Sequence, residues 1–250
     1  MWGSEFLSAS RTNPLAKLAF RPSAAARRRL PPAVAVFARA PSPGKAKTRL
    51  IPLLGPQGAA EFQAALMADA LHKVNRLSGR VSPYLFVAGK KFPPGSTGSS
   101  PDTSNYTVMC QRGAGLGARL ANAFRELLPR HAAVVVIGTD SPTLPPRVLR
   151  AALRELRWCD AVLGPCPDGG YYLLGLRRFE RGLLRGIRWG SAMAFGDTLR
   201  NFLRQGFSCS ILEPFPDVDR PADVERLRRE LVRSPAARRL ASNTRRYLKS

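Results

Sequence analysis

Apolar residues fall into two kinds of run along this chain. Residues 33–38, 84–88, 107–110, 133–137, 161–163, 171–174 and 209–212 are short and nearly unbroken. Runs of this length without polar alternation predict strands buried on both faces. Between them, apolar positions recur three and four residues apart. Phe62, Leu66, Ala70, Val74 and Leu77 mark one face of a long helix, and 116–128 forms a second that stops at Pro129. Helices are also predicted around 148–156, 195–203 and 222–231. Strands alternating with helices predict a mainly parallel sheet with helices on both faces, a single α/β domain over about residues 31–232.

The flanks read differently. Residues 1–30 have no periodicity and are rich in Ser, Ala and Arg, with Glu5 their one acid. That composition suits a basic tail or an organelle transit segment, and Gly3-Ser4-Glu5-Phe6 also suits a cloning remnant. Residues 233–250 read as a basic C-terminal tail carrying Arg238, Arg239, Arg245 and Arg246. A cytoplasmic protein is expected, with plastid or mitochondrion as the alternative. Residues 89–105 are dense in Pro, Gly, Ser and Thr, a long loop.

Composition narrows the classes. With 250 residues, 44% of them apolar, the chain can bury a core without staples, which excludes disulfide scaffolds, collagen and wholesale disorder. No run approaches the roughly 20 apolar residues of a membrane span. Two histidines cannot build a multi-His metal site, and four cysteines without a CxxC pair argue against zinc ribbons and dithiol motifs. The formal net charge of +23 favours polyanionic partners, whether nucleic acid, anionic membrane or phosphorylated small molecules. The cations are scattered rather than striped, so charge alone selects none of these.

Chemistry is expected just after the strands, where open parallel sheets bind ligands. Gly44-Lys45-Ala46-Lys47-Thr48-Arg49 follows the first strand and offers three cations beside a flexible glycine, a phosphate-binding composition that is not a P-loop. Gly113-Ala114-Gly115-Leu116-Gly117-Ala118 fits a dinucleotide fingerprint, although it follows the third strand. Asp140 ends the 133–137 strand segment, where a carboxylate can hold a hard cation. Asp217-Val218-Asp219 offers a second acidic ligand. Asp168-Gly169-Gly170 suits a tight turn or a close approach to a ligand.

Five segments in order carry a resemblance: Phe37 to Leu50, Leu116-Gly117 with Arg119, Gly138 to Pro145, Gly164 to Leu176 and Asp217 to Asp223. Over about Val34 to Leu231 the chain resembles the bacterial-type glycosyltransferase-A family of the nucleotide-diphospho-sugar transferase superfamily. Its Lys-Thr-Arg-Leu segment is also similar to 2-phospho-lactate guanylyltransferases. The resemblance implies a Rossmann-like nucleotide-binding domain that uses Mg²⁺ or Mn²⁺. It places Gly44, Lys45, Lys47, Arg49, Leu116 and Gly117 at the nucleotide and its phosphates, Asp140 and Asp219 at the metal, and Gly169, Gly170 and Tyr171 on the acceptor side. Asp140 and Asp168 would be catalytic, Asp168 as the base for an acceptor hydroxyl.

The sequence departs from the family at Gly115, where many relatives carry an acid, at Cys166, where alanine is usual, and over Trp189 to Ala192. The implied reaction is sugar transfer from a nucleotide sugar to a small-molecule or glycan acceptor. The alternative is nucleotidyl transfer from an NTP to a phosphorylated small molecule. An NAD-type dehydrogenase and a non-enzymatic nucleic-acid binder are the remaining alternatives.

Overall fold

A computed structural model describes residues 30–77, 79–89 and 101–249. The transit-segment expectation and most of the 89–105 loop therefore lie outside the described residues. Seven strands form one sheet: β1 (Ala33–Arg39), β2 (Ser82–Ala88), β3 (Thr107–Cys110), β4 (Val134–Ile137), β5 (Ala161–Pro165), β6 (Tyr171–Leu176) and β7 (Cys209–Ile211). Their order is β3-β2-β1-β4-β6-β5-β7. All pairings are parallel except those of β6, which runs antiparallel to both β4 and β5. β1 and β4 lie at the sheet centre with nearly every residue buried, which is why their apolar runs do not alternate. β3 is a short, largely exposed edge strand.

Helices cover both faces, as the alternation predicts. One face receives α1 (Ile51–Asn75), through Met67, Ala70, Leu71 and Val74, and α3 (Pro146–Glu155), through Val148, Leu149 and Ala152. The other receives α2 (Leu116–Leu127), through Leu120, Phe124 and Leu127, and α4 (Ala194–Arg204), through Phe202. α1 begins well before the Phe62 stripe and is interrupted at Gly55, whose φ of 69° and ψ of 168° are non-helical. Pro56 then restarts the helix, its fixed φ suiting a first helical position.

A third layer packs outside α1. It consists of α5 (Pro221–Arg233), α6 (Pro235–Leu240) and α7 (Ser242–Tyr247). Residues 233–250 were expected as a basic tail, and here they hold two short helices seated on α1. Val224, Leu227, Leu231, Ala237 and Ala241 meet Leu50, Phe62 and Leu66. The carboxylate of Asp69 on α1 accepts hydrogen bonds from Asn243 N, Asn243 Nδ2 and Thr244 N, each at 2.9 Å. The fully buried residues of this seat are small, and its one aromatic, Tyr247, packs on Phe62 and donates to Gly58 O at 2.8 Å, so the segment shows no large apolar stripe in sequence.

The topology gathers the candidate loops. β1 and β4 end at the same sheet edge because they are parallel. β6 begins at that edge because it is antiparallel to β4, which delivers the 166–170 turn to the same place. The strand order reverses direction between β1 and β4, and a crevice opens at such a switch point.

Candidate active site

The loop after β1 is a compact turn in which Ser42 O accepts from Lys45 N at 3.0 Å and Ala46 N at 3.1 Å. Gly44 has a φ of 73°, a conformation glycine adopts without penalty. Lys47 follows in the left-handed region, with φ 46° and ψ 45°. For a residue with a Cβ this costs about 1–2 kcal/mol and persists only where surrounding contacts hold it. Those contacts are visible. Lys47 Nζ lies 2.9 Å from Asp140 Oδ1, donates to Val218 O at 2.6 Å, and is 3.9 Å from Asp219 Oδ1. Its side chain is only 4% exposed. Arg49 pairs with Asp219 through Nη1 and Oδ2.

Lys47 thus joins three segments: the loop after β1, the end of β4, and residues 217–219. The clasp is reinforced by backbone, since Val218 N donates to Asp140 O at 2.8 Å. Ser141 Oγ donates to Pro216 O at 3.1 Å. Thr139 Oγ1 donates to Asp140 Oδ1 at 2.9 Å, which fixes the carboxylate's direction.

Beside the clasp lies a cavity of about 520 Å³. Arg39, Lys45, Lys47 and Arg49 supply its cationic side and Asp140 and Asp219 its acidic side. Phe37, Leu116, Leu120 and Tyr171 form an apolar wall. This mixture suits an amphipathic ligand with an anionic end and a planar or apolar end.

The 166–170 turn adjoins this cavity. Cys166 Sγ and carboxylate oxygens of Asp168 and Asp217 lie within 4.8 Å of one another. Burial, with Asp168 and Asp140 adding repulsion, pushes the Asp217 carboxyl up to about 6. Burial also pushes the Cys166 thiol up, and the same three carboxylates add to the shift. Crowded acids of this kind fit a divalent cation, which would relieve their repulsion. The oxygen donors suit Mg²⁺ or Mn²⁺, and the thiol stays protonated beside them.

The structure therefore assembles Lys45, Lys47, Arg49, Leu116, Asp140, Tyr171 and Asp219 around one cavity. Gly44 shapes the turn that presents Lys45. Gly117 does not line the cavity, and a Cβ there would stand 2.6 Å from Trp189 Nε1, so its place serves helix packing. Asp168 turns toward Asp217 and Cys166, and its Oδ1 accepts from Gly170 N at 2.9 Å. Asp219 is ion-paired with Arg49 and Lys47, whereas Asp217 faces Asp168 and Asp140. In the dinucleotide-like run, Gly113 and Gly115 have φ of 127° and 85° and follow an edge strand rather than the switch-point strand. Their glycines answer to backbone geometry at the entry of α2.

Lys73 belongs to none of the sequence motifs. It sits on α1 at 3% exposure, and its Nζ donates to Ser141 O at 2.8 Å, bracing the residue next to Asp140. The available signal was a charged pair, Asp69 and Lys73, on the apolar side of a predicted helix. Burial holds the Lys73 ammonium down at about 7, with Asp69 one turn back partly opposing. The folded-state value lies below the ordinary value of 10.5, so the charging penalty is fully present below about pH 7. It is relieved as pH rises toward 10.5. Stability is expected to climb across that window, and Lys73→Met to flatten the climb in urea titrations. Identical slopes in both proteins would remove Lys73 as the cause.

The fold is that of an α/β protein of the nucleotide-diphospho-sugar transferase type. The chain belongs to the family described as an uncharacterized protein conserved in bacteria (DUF2064), whose sequence model matches residues 67–191. A candidate nucleotide-diphospho-sugar transferase from Desulfovibrio desulfuricans G20 is similar in structure, at 28% identity and a TM-score of 0.73, covering 86% of this chain and 97% of that one. The 4-diphosphocytidyl-2C-methyl-D-erythritol synthase of Anaerococcus prevotii shares the fold at 12% identity and TM-score 0.53, over 80% of this chain and 96% of that one. Rv0371c of Mycobacterium tuberculosis H37Rv shares it at 19% identity and TM-score 0.51, over 79% and 97% respectively. No curated protein sequence matches the chain.

Proposed function

We propose that this protein is a nucleotide-dependent, divalent-cation-requiring transferase that moves a sugar from a nucleoside-diphosphate sugar to a small-molecule or glycan acceptor. The observation that carries the reading is the meeting of the Lys45, Lys47 and Arg49 loop with Asp140, Asp217 and Asp219 at the β1–β4 switch point. Similarity to the Desulfovibrio protein supports the sugar-nucleotide donor. In this reading Lys45, Lys47 and Arg49 bind the phosphates, with Arg49 and Lys47 exchanging carboxylate partners for phosphate oxygens. Leu116 and Tyr171 bound the nucleoside. Asp140, with Asp217 or Asp219 from the neighbouring segment, would hold Mg²⁺ or Mn²⁺, which supplies charge neutralisation at the departing diphosphate. Asp168 receives the proton of the acceptor hydroxyl, and Gly169 and Gly170 let the acceptor approach the turn.

A second reading, nucleotidyl transfer from an NTP, is favoured by the number of cations on the β1 loop, which suits a departing pyrophosphate. There the acceptor phosphate attacks directly, and Asp168 has no proton to take.

Thermal unfolding with NDP-sugars or NTPs, with Mn²⁺ or EDTA, tests both. Ligand at 100 times its Kd adds about 2.7 kcal/mol. Asp140→Asn is expected to melt somewhat lower without ligand, because Lys47 loses its ion pair, and to lose the Mn²⁺-dependent shift. A variant that retains that shift would remove Asp140 from the site. The nucleotide class that stabilises the wild type decides between sugar and nucleotidyl transfer.

A further inference from the structure

A second groove, of about 430 Å³, lies away from the active site in the C-terminal layer. Its apolar floor is Leu231 and Val232 of α5 with Leu248, and its rim is Arg228, Arg238, Arg245 and Lys249. Val232 is 76% exposed, an unusual position for valine on a helix that buries Val224, Leu227 and Leu231. Arg238 is held at the rim because its Nη1 donates to Val232 O at 2.8 Å and Leu231 O at 3.3 Å. The groove lining itself carries four cations and no acid, although Arg228 also pairs with Glu225 one turn back, at 3.7 Å. From Leu231 to Lys249 the sequence holds six Lys and Arg and no Asp or Glu. Elsewhere in the chain, acids offset half of the cations, 17 against 34, the latter being the total of 40 less these six.

We propose that this groove docks an anionic phospholipid at a bilayer surface, with an acyl segment on Leu231, Val232 and Leu248 and the phosphate among Arg245, Lys249 and Arg228. The pairing of aliphatic floor and cationic rim selects this occupant. A free phosphate would gain nothing from the floor. A nucleic acid would want aromatic faces for its bases, and the groove lining has none. Among the described residues no helix is long and apolar enough to cross a membrane, so attachment here is peripheral, through apolar insertion joined to electrostatic attraction. α5 starts two residues after Asp219, and Leu231 lies ten residues along it, about 15 Å at 1.5 Å per residue. The lipid contact would therefore hold the active site within reach of the membrane surface.

Sedimentation of the full chain with vesicles tests this. Vesicles of phosphatidylcholine with about a third phosphatidylglycerol are expected to bind at least tenfold more tightly than phosphatidylcholine alone, and the affinity falls with salt. Val232→Asp places a negative charge on the floor at an exposed position, so the fold is retained, and it is expected to weaken binding at least tenfold. Arg245→Glu with Lys249→Glu is expected to do the same, while Arg154→Glu with Arg157→Glu, an equal charge change at the exposed end of α3 and in the turn that follows it, leaves binding within threefold. Three results would overturn the proposal: no binding to anionic vesicles, equal loss in the Arg154 and Arg157 control, or full displacement by inorganic phosphate. An unaffected Val232→Asp, or RNA binding with the same variant profile, would also overturn it in favour of a plain polyanion surface.

Discussion

Lys47→Met is expected to lower nucleotide-dependent turnover by at least about 10³-fold, the scale of removing a preorganised charge from a reacting phosphate, while Mn²⁺ binding survives. Lys47 is the cation that touches Asp140 at 2.9 Å and Val218 O at 2.6 Å, so it aligns both the metal-binding candidates and the phosphate loop. Methionine has a similar reach and demands no different backbone, since the φ of 46° is borne by any side chain alike. The unpaired Asp140 is 41% exposed and rehydrates, which keeps the stability cost small. Removing the ammonium also removes the competitor for the Asp140 carboxylate, so Mn²⁺ affinity should hold or rise. Isothermal titration with Mn²⁺, with and without nucleotide, separates these effects. Turnover within tenfold of the wild type would contradict the role, and joint loss of Mn²⁺ binding would show that Lys47 shapes the loop rather than binding phosphate.

Gly169→Ala should be the most damaging small substitution in the β5–β6 turn. Gly169 has a φ of 85°, and a Cβ on it would stand 2.1 Å from Ala192 O and 2.6 Å from Ala192 C and Cα. Nothing flexible can yield there, because Gly169 O also accepts from Phe195 N at 2.9 Å and so ties the 191–195 segment to the turn. Strain and overpacking of this kind each cost about 1–3 kcal/mol. The relaxed turn would carry Asp168 away from Asp217, and a shift near 1 Å in a reacting group can cost about 10² in rate. Gly170→Ala is the comparison: the nearest atoms to its Cβ would be those of the Asp168 carboxyl group, Oδ1 at 3.1 Å, with no positive φ. Urea midpoints and turnover for the two variants should therefore differ sharply. Equal effects would mean that the contact with Ala192 does not constrain the turn.

Much of the fold was legible because continuous apolar strands and 3.6-residue helical stripes have one economical arrangement. The 133–137 and 33–38 runs became the two central strands, and the helices fell on both faces. Residues 233–250 were less legible. The fully buried residues there, Ala237, Ala241 and Thr244, are too small to mark a stripe, and the segment depends on an Asp69 carboxylate more than 170 residues away in sequence. Lys73 was hidden for a related reason. A buried charge is tolerated only through partners: Asp69 is one helical turn away, but the acceptor of the Lys73 ammonium, Ser141 O, is 68 residues distant and shows only in the fold.

The sequence by itself determined the α/β class, the strand positions and the residue types after each strand, because burial periodicity and turn chemistry are local properties. Only the tertiary structure decided which of those residues meet. The reversed direction of β6 delivers Asp168 to the edge where β1 and β4 end. The 217–219 segment, closed against Asp140 O through Val218 N, then presents Asp219 to Arg49 and Asp217 to Asp168. Asp217 and Asp219 are two residues apart, a spacing that a regular strand would place on one face, and only the irregular path of 217–219 sends them to different partners. That choice belongs to the clasp around Lys47, where one buried ammonium joins three segments distant in sequence.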